Sequence, residues 1–166
     1  MRLSVFVCGM LLIAMCITLP VTAFTNDKLD IQVDQAGSGM ITINYTLSFF
    51  EDIAAWLNIV NPAKEIQKEI ERSTGKTAVV LAASTDAAVF KVVDYATTER
   101  SGNAIIQTTP RLSFTEAENY LKNQWFSFLI GQDLSPAITT VRFADGSTET
   151  FTNVLEIPTI KHSITV

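Results

Sequence analysis

The chain is poor in the residues that most often carry chemistry. Its 166 residues include two cysteines, one histidine and five prolines, and only 17% are charged. Both cysteines, Cys8 and Cys16, fall near the N-terminal end. After them no thiol remains for catalysis, iron–sulfur ligation or cysteine-bound zinc. A lone histidine, His162, excludes sites built on two or three imidazoles. Cations are scarce as well. With 12 Lys plus Arg against 17 Asp plus Glu, the net charge is −5 and the basic footprint of a nucleic-acid binder is missing. No nucleic-acid partner, no metal and no cofactor is expected. What is abundant is apolar surface, at 48% of residues, and that separates the chain from disordered sequences.

The apolar residues are unevenly spread. Arg2 gives a positive start, Val5 to Leu19 is almost wholly apolar, and Pro20-Val21-Thr22-Ala23 ends the run with small residues at −3 and −1. These are the three parts of a secretory signal peptide, with cleavage after Ala23. An uncleaved anchor is the rival reading, because Val5 to Ala23 is about long enough to span a bilayer, which takes roughly 17–25 residues. A lipoprotein signal at Cys16 is disfavoured by the bulky Met15 before it. The expected organisation is a signal segment over 1–23 and one domain over 24–166. That domain would have 143 residues, 11 cations, 17 anions and no cysteine. Its stability must come from its core, which domains of that size can build.

From Leu29 the pattern alternates. Leu29, Ile31 and Val33 share one face, and after Gln35-Ala36-Gly37-Ser38-Gly39 so do Ile41, Ile43, Tyr45, Leu47 and Phe49. Period two across a glycine-containing link predicts a hairpin. At Glu51 the period lengthens, with Ile53, Trp56, Leu57 and Val60 at helical spacing. Asn61-Pro62 then restarts a helix with Ala63, Ile66 and Ile70 inward, and Glu69 among the water-facing charges. Gly75 ends it. Strands are expected at 76–83, 89–95 and 104–108, with the polar stretch 97–103 as a loop. Ser113 and Glu116 have capping-box spacing for a helix to about Lys122. Asp145-Gly146 turns a second hairpin between 139–143 and 148–153. A two-residue loop there would pair Arg142 with Glu149. A three-residue loop with a glycine bulge would place Val141, Phe143 and Phe151 on one face. A final strand is expected within 155–166. The order predicts an α+β fold with a largely antiparallel sheet of about five to seven strands, packed by two or three helices.

Candidate chemistry is thin. Ser73 and Lys76 have the spacing of a serine–lysine nucleophile pair, and Gly75-Lys76-Thr77 has the end of a phosphate loop. Both belong at the start of a helix, and these residues close one. A helix end with a glycine stop fits better. His162 permits a Ser-His-Asp arrangement on paper, but no nucleophile-elbow motif accompanies it, and an exposed histidine near the terminus is the expected reading. Asp27, Asp30, Asp34, Glu51 and Asp52 lack the spacing of a calcium loop. No catalytic residue is assigned, and the chain is read as leaning away from an enzyme. Asn44-Tyr45-Thr46 is an N-glycosylation sequon, with Asn44 on the outward phase of its strand. Trp125, Phe126 and Phe128 lie in one apolar run that is either a core helix or an interaction surface.

The segments Asn61-Pro62-Ala63-Lys64-Glu65-Ile66, Asp133-Leu134-Ser135-Pro136 and Val141-Arg142-Phe143-Ala144-Asp145-Gly146 resemble pieces of exported proteins of methanogenic archaea. That group carries no assigned activity, so the resemblance implies a cell-surface setting and no mechanism. The expected function is a secreted or membrane-tethered module that binds a protein or another envelope component outside the cytoplasm, touching the membrane only through an uncleaved N-terminal segment. An extracytoplasmic hydrolase and a small-ligand carrier are the alternatives, and either would need a pocket with convergent polar groups.

Overall fold

Strict alternation becomes a hairpin of two long strands, β1 (Thr25–Val33) and β2 (Gly39–Thr46), paired with Ile31 opposite Ile41 and Leu29 opposite Ile43. The structure is a computed structural model and describes residues 25–46, 61–123 and 133–165. The signal segment, Leu47 and Phe49, the helix expected from Glu51, and the run containing Trp125, Phe126 and Phe128 all lie outside the described residues.

Four more strands extend the hairpin: β3 (Ala78–Ala83), β4 (Ala87–Val92), β8 (Ile138–Arg142) and β9 (Thr148–Thr152). They form a six-stranded sheet in the order β3-β4-β2-β1-β8-β9, antiparallel except where β8 runs parallel to β1. The inner face is built in rungs. Val80, Phe90, Ile41, Ile31 and Val141 make one, and Ala88, Ile43, Leu29, Thr139 and Phe151 the next. Leu29, Ile31, Ile41 and Phe90 have no exposed surface. Each such side chain contributes about 1.5–3 kcal/mol by burial, and a one-residue slip would turn the whole set to water, so the register is fixed by the core. Tyr95, also buried, lies over Gly39, where an added Cβ would come within 2.8 Å of its ring. Glycine is the residue that lets this tyrosine close the end of the core.

Two helices occur among the described residues. In α1 (Pro62–Thr74) the Asn61 side chain accepts from the Lys64 N–H at 3.1 Å, and Gly75 stops the helix at φ 66 with its N–H on Glu71 O. Ala63 and Ile70 are buried and Ile66 packs against the core. Glu69 departs from expectation: it is 6% exposed, not solvated. The reason is α2 (Thr115–Lys122), whose Ala117 N–H bonds the Glu69 carboxylate. A charge on α1 thereby satisfies an orphan donor at the start of α2. The capping box is not formed either. Ser113 Oγ accepts from Thr115 N at 3.3 Å, but Glu116 turns away to Arg72 at 3.1 Å, and Ser113 N donates to Ser73 Oγ.

The rest is sheet. A two-residue bridge joins β7 (Leu112–Ser113) to β10 (Glu156–Ile157). A second sheet contains β5 (Thr97–Ser101), β6 (Ala104–Thr108) and β11 (Lys161–Thr165), in the order β11-β6-β5. The stretch expected as a loop is therefore mostly the strand β5. Its five residues are all exposed, because it is an edge strand with water on both faces. Glu99 and Arg100 on such an edge discourage further pairing. The chain is α+β and sheet-rich, with one buried cluster linking the six-stranded sheet, α1 and the β7–β10 bridge.

Candidate functional site

Both long hairpins use the same turn. Gly37 N donates to Asp34 O and Asp34 N to Ser38 O, while Gly146 N donates to Phe143 O and Phe143 N to Ser147 O. Each encloses three residues, with glycine at positive φ, 88° at Gly37 and 87° at Gly146. This decides the register that the sequence left open: Arg142 faces Thr148, and Phe143 and Phe151 turn inward. Since β1 and β8 are parallel neighbours, both turns leave the sheet at one end. Across them lies a row of the second sheet, His162 beside Gln107 beside Thr98.

His162 is therefore not the exposed terminal residue expected of it. Its ring stacks on Phe143 at 4.3 Å between centroids, and its side chain is 23% exposed. Nε2 lies 2.8 Å from Ser147 Oγ and 2.8 Å from Asp145 Oδ2, and Ser147 Oγ also donates to Asp145 Oδ1. The hydrogen bonds from Ser147, then that from His162, hold the Asp145 carboxyl down to about 2. The fold thus brings serine, histidine and aspartate together, but not as a triad. A triad needs the carboxylate on Nδ1 and the serine on Nε2. Here both partners share Nε2, so the nitrogen that would accept the serine proton is already engaged by the carboxylate. The cluster pins a hairpin turn to the second sheet. Gln107 does the same for the other turn, donating from Nε2 to Asp34 O at 2.6 Å.

The remaining sequence candidates resolve individually. Ser73 Oγ accepts from Ser113 N at 2.7 Å and so joins α1 to β7. Asp27 accepts from Thr25 and Thr46, Asp30 pairs with Lys28 at 2.6 Å, and Asp34 Oδ1 accepts from Ser38 N. Each carboxylate has its own local partner. Among the described residues no group of three or more His, Cys, Asp or Glu side chains could hold a metal. No described helix is long and apolar enough to cross a membrane.

The outer face of the six-stranded sheet carries what sequence reasoning missed. One cross-strand row runs Thr148, Arg142, Gln32, Met40, Lys91, Val79 from β9 to β3. Met40 is 44% exposed, Val79 50% and Leu81 53%. Leu81, two residues along β3 from Val79, shares its face and is the unpaired residue of a β-bulge, where the β3–β4 register shifts between Val80 and Ala82. Gln32, Ser38, Met40, Leu81, Lys91 and Arg142 are among the residues lining a depression of about 530 Å³. Lys28 and Asp30 pair with each other two residues further along the sheet, and the lining of the depression carries two cations, Lys91 and Arg142, against one carboxylate, Asp34. Alternation announced which residues face outward, but no motif marks this row, because its members come from six strands. Asn44 is on the same face, exposed, paired across strands with Lys28 and Ala87.

No family model, curated protein or solved structure matches the chain.

Proposed function

We propose that this protein is an exported binding module that works outside the cytoplasm, secreted or held to the outer face of the cell membrane, and docks an envelope component on the outer face of its six-stranded sheet. The observation that carries the reading is the row of Met40, Lys91 and Val79, continued by Leu81: three large apolar side chains half in water around a cation. Exposed apolar groups gathered in one place mark interaction sites more often than scattered ones do. The finer architecture of the reading is a signal segment over 1–23 followed by a single domain over 24–166. The resemblance to exported archaeal proteins supports the same setting, as does the sequon at Asn44, the proposed glycan acceptor. A glycan there would stand about 14 Å along β2 from Met40, at roughly 3.4 Å per residue, leaving the row open.

Two measurements test this. Mass spectrometry of the natively exported chain should find Phe24 as the first residue, and recovery of intact Met1 in membranes would replace secretion with anchoring. Co-sedimentation with isolated cell envelopes should show saturable binding by the full chain. Met40→Glu and Leu81→Glu should each weaken it about tenfold, the effect of losing a central apolar contact. Unchanged binding by both variants would remove the outer face as the docking surface.

A further inference from the structure

We infer that the docking face recognises an extended acidic peptide segment that crosses the strands, with carboxylates at positions i and i+4 and an apolar side chain at i+2. The inference rests on the proposed docking role of this face and supplies the chemistry of the partner.

The geometry of the row sets the spacing. Arg142 on β8 and Lys91 on β4 are separated by β1 and β2, hence by three strand spacings, about 14 Å at roughly 4.8 Å each. With both side chains standing outward from the sheet, two anionic groups about that far apart meet one cation each. An extended peptide advances about 3.4 Å per residue and places every second side chain on one side, so i and i+4 stand about 13.6 Å apart and face the same way. Between the cations the row presents Gln32 and Met40, with Leu81 beside them in the depression. A side chain at i+2 falls between Gln32 and Met40, so an apolar residue there buries surface against the Met40 side chain, while Gln32 offers hydrogen bonds to the peptide backbone.

Charge complementarity favours an acidic partner over a basic one. Lys91 and Arg142 have no ion-pair partner among the described residues, as is true of Lys64, Lys76, Arg100 and Lys161, but these two stand in one cross-strand row. The lining of the depression also holds one carboxylate, Asp34, which accepts from the Ser38 N–H at its turn, so two cations stand there against one anion. A chain of net charge −5 therefore keeps two free cations on its open face, flanking apolar ground. Such a pairing steers encounter and fixes orientation more than it adds affinity.

The test uses the full chain and a labelled synthetic peptide, acetyl-Ser-Gly-Glu-Thr-Leu-Thr-Glu-Gly-Ser-amide, followed by fluorescence anisotropy at low salt. Saturable binding tighter than about 1 mM is expected. Lys91→Gln and Arg142→Gln should each weaken it about 5-fold, the scale of one solvent-exposed ion pair. Raising salt from about 0.05 M to 0.5 M should weaken it similarly, since the screening length falls below the reach of the pairs. A peptide with its two glutamates adjacent should bind less well than the i, i+4 peptide. Absence of saturable binding, or equal binding by the double Lys91→Gln, Arg142→Gln variant, overturns the proposal. So does tighter binding of a uronic-acid oligosaccharide or of anionic lipid vesicles than of the peptide. Envelope binding that is lost with Met40→Glu but kept in the double glutamine variant would retain the docking face and reject the acidic peptide.

Discussion

Two carboxyl groups show how far a single residue's surroundings can carry its chemistry in opposite directions. Burial pushes the Glu69 carboxyl above its ordinary 4.5, and the neighbouring Arg72 opposes this only in part. The native state then holds that proton more tightly than the unfolded chain does. In the window above 4.5 stability must fall as pH rises. Asp145 works the other way. Its carboxyl is held from 3.8 down to about 2 by Ser147 and His162, so between those values the unfolded chain binds the proton better. The contribution of Asp145 is complete above its unfolded value and disappears as pH falls through the window. Urea midpoints measured from pH 2 to 8 should separate the two. Glu69→Gln should flatten the decline above 4.5, and Asp145→Asn should flatten the acid limb below about 4 without altering the rest. If Glu69→Gln lowered the midpoint equally at pH 5 and pH 8, burial would not be what governs that carboxyl.

At the level of elements, the sequence was most readable where one physical cause acted alone. Strict alternation located β1 and β2 because one face is core and the other water. Asn61, Pro62 and Gly75 located α1 because caps and stops are local chemistry. Legibility failed where a second element took over. Glu69 reads as a solvated helix charge until α2 is placed over it, and Glu116 reads as a cap until Arg72 claims it. The strand β5 reads as a loop because an edge strand exposed on both faces has no apolar alternation to show. The paired hairpins permit a controlled comparison. Gly37 and Gly146 hold the same positive φ in the same turn, but a Cβ at Gly37 would lie 2.4 Å from Ala96 O, and one at Gly146 would meet nothing within 4 Å. Gly146→Ala should cost about 1–2 kcal/mol, the backbone penalty alone. Gly37→Ala should cost about 1–3 kcal/mol more, the added penalty of overpacking against a backbone carbonyl. Equal thermal shifts for the two would show that the Ala96 carbonyl yields without cost.

For the molecule as a whole, the candidate site was the least legible part, and for a topological reason. The row from Thr148 to Val79 gathers six residues from β8, β1, β2, β4 and the two edge strands, and no local spacing announces that β8 will lie parallel to β1. The same parallel pairing places the Asp34 and Phe143 turns together, which is what gives the second sheet its seat. That sheet is attached at few points: Gln107 on Asp34 O, His162 on Asp145 and Ser147 with its ring stacked on Phe143, and, just before β5, the Ala96 N–H on Gly37 O. Its strands β5 and β11 are exposed for most of their length, whereas β1, β2 and β4 lie over the buried cluster. A boundary with a handful of polar contacts and one ring stack, against a continuous apolar core, is where sub-global opening begins. Gln107→Ala and His162→Ala each remove a contact that spans this boundary, at a cost of about 1–3 kcal/mol where a buried group loses its partner. Gln107 and His162 are register neighbours, so their losses should couple rather than add. In the double variant, native-state hydrogen exchange of the β6 and β11 amides should accelerate by about one to two orders of magnitude, while β1, β2 and β4 keep their protection. Equal acceleration in all strands would instead mean that the two sheets open as one unit, with the turns serving as part of a single cooperative core.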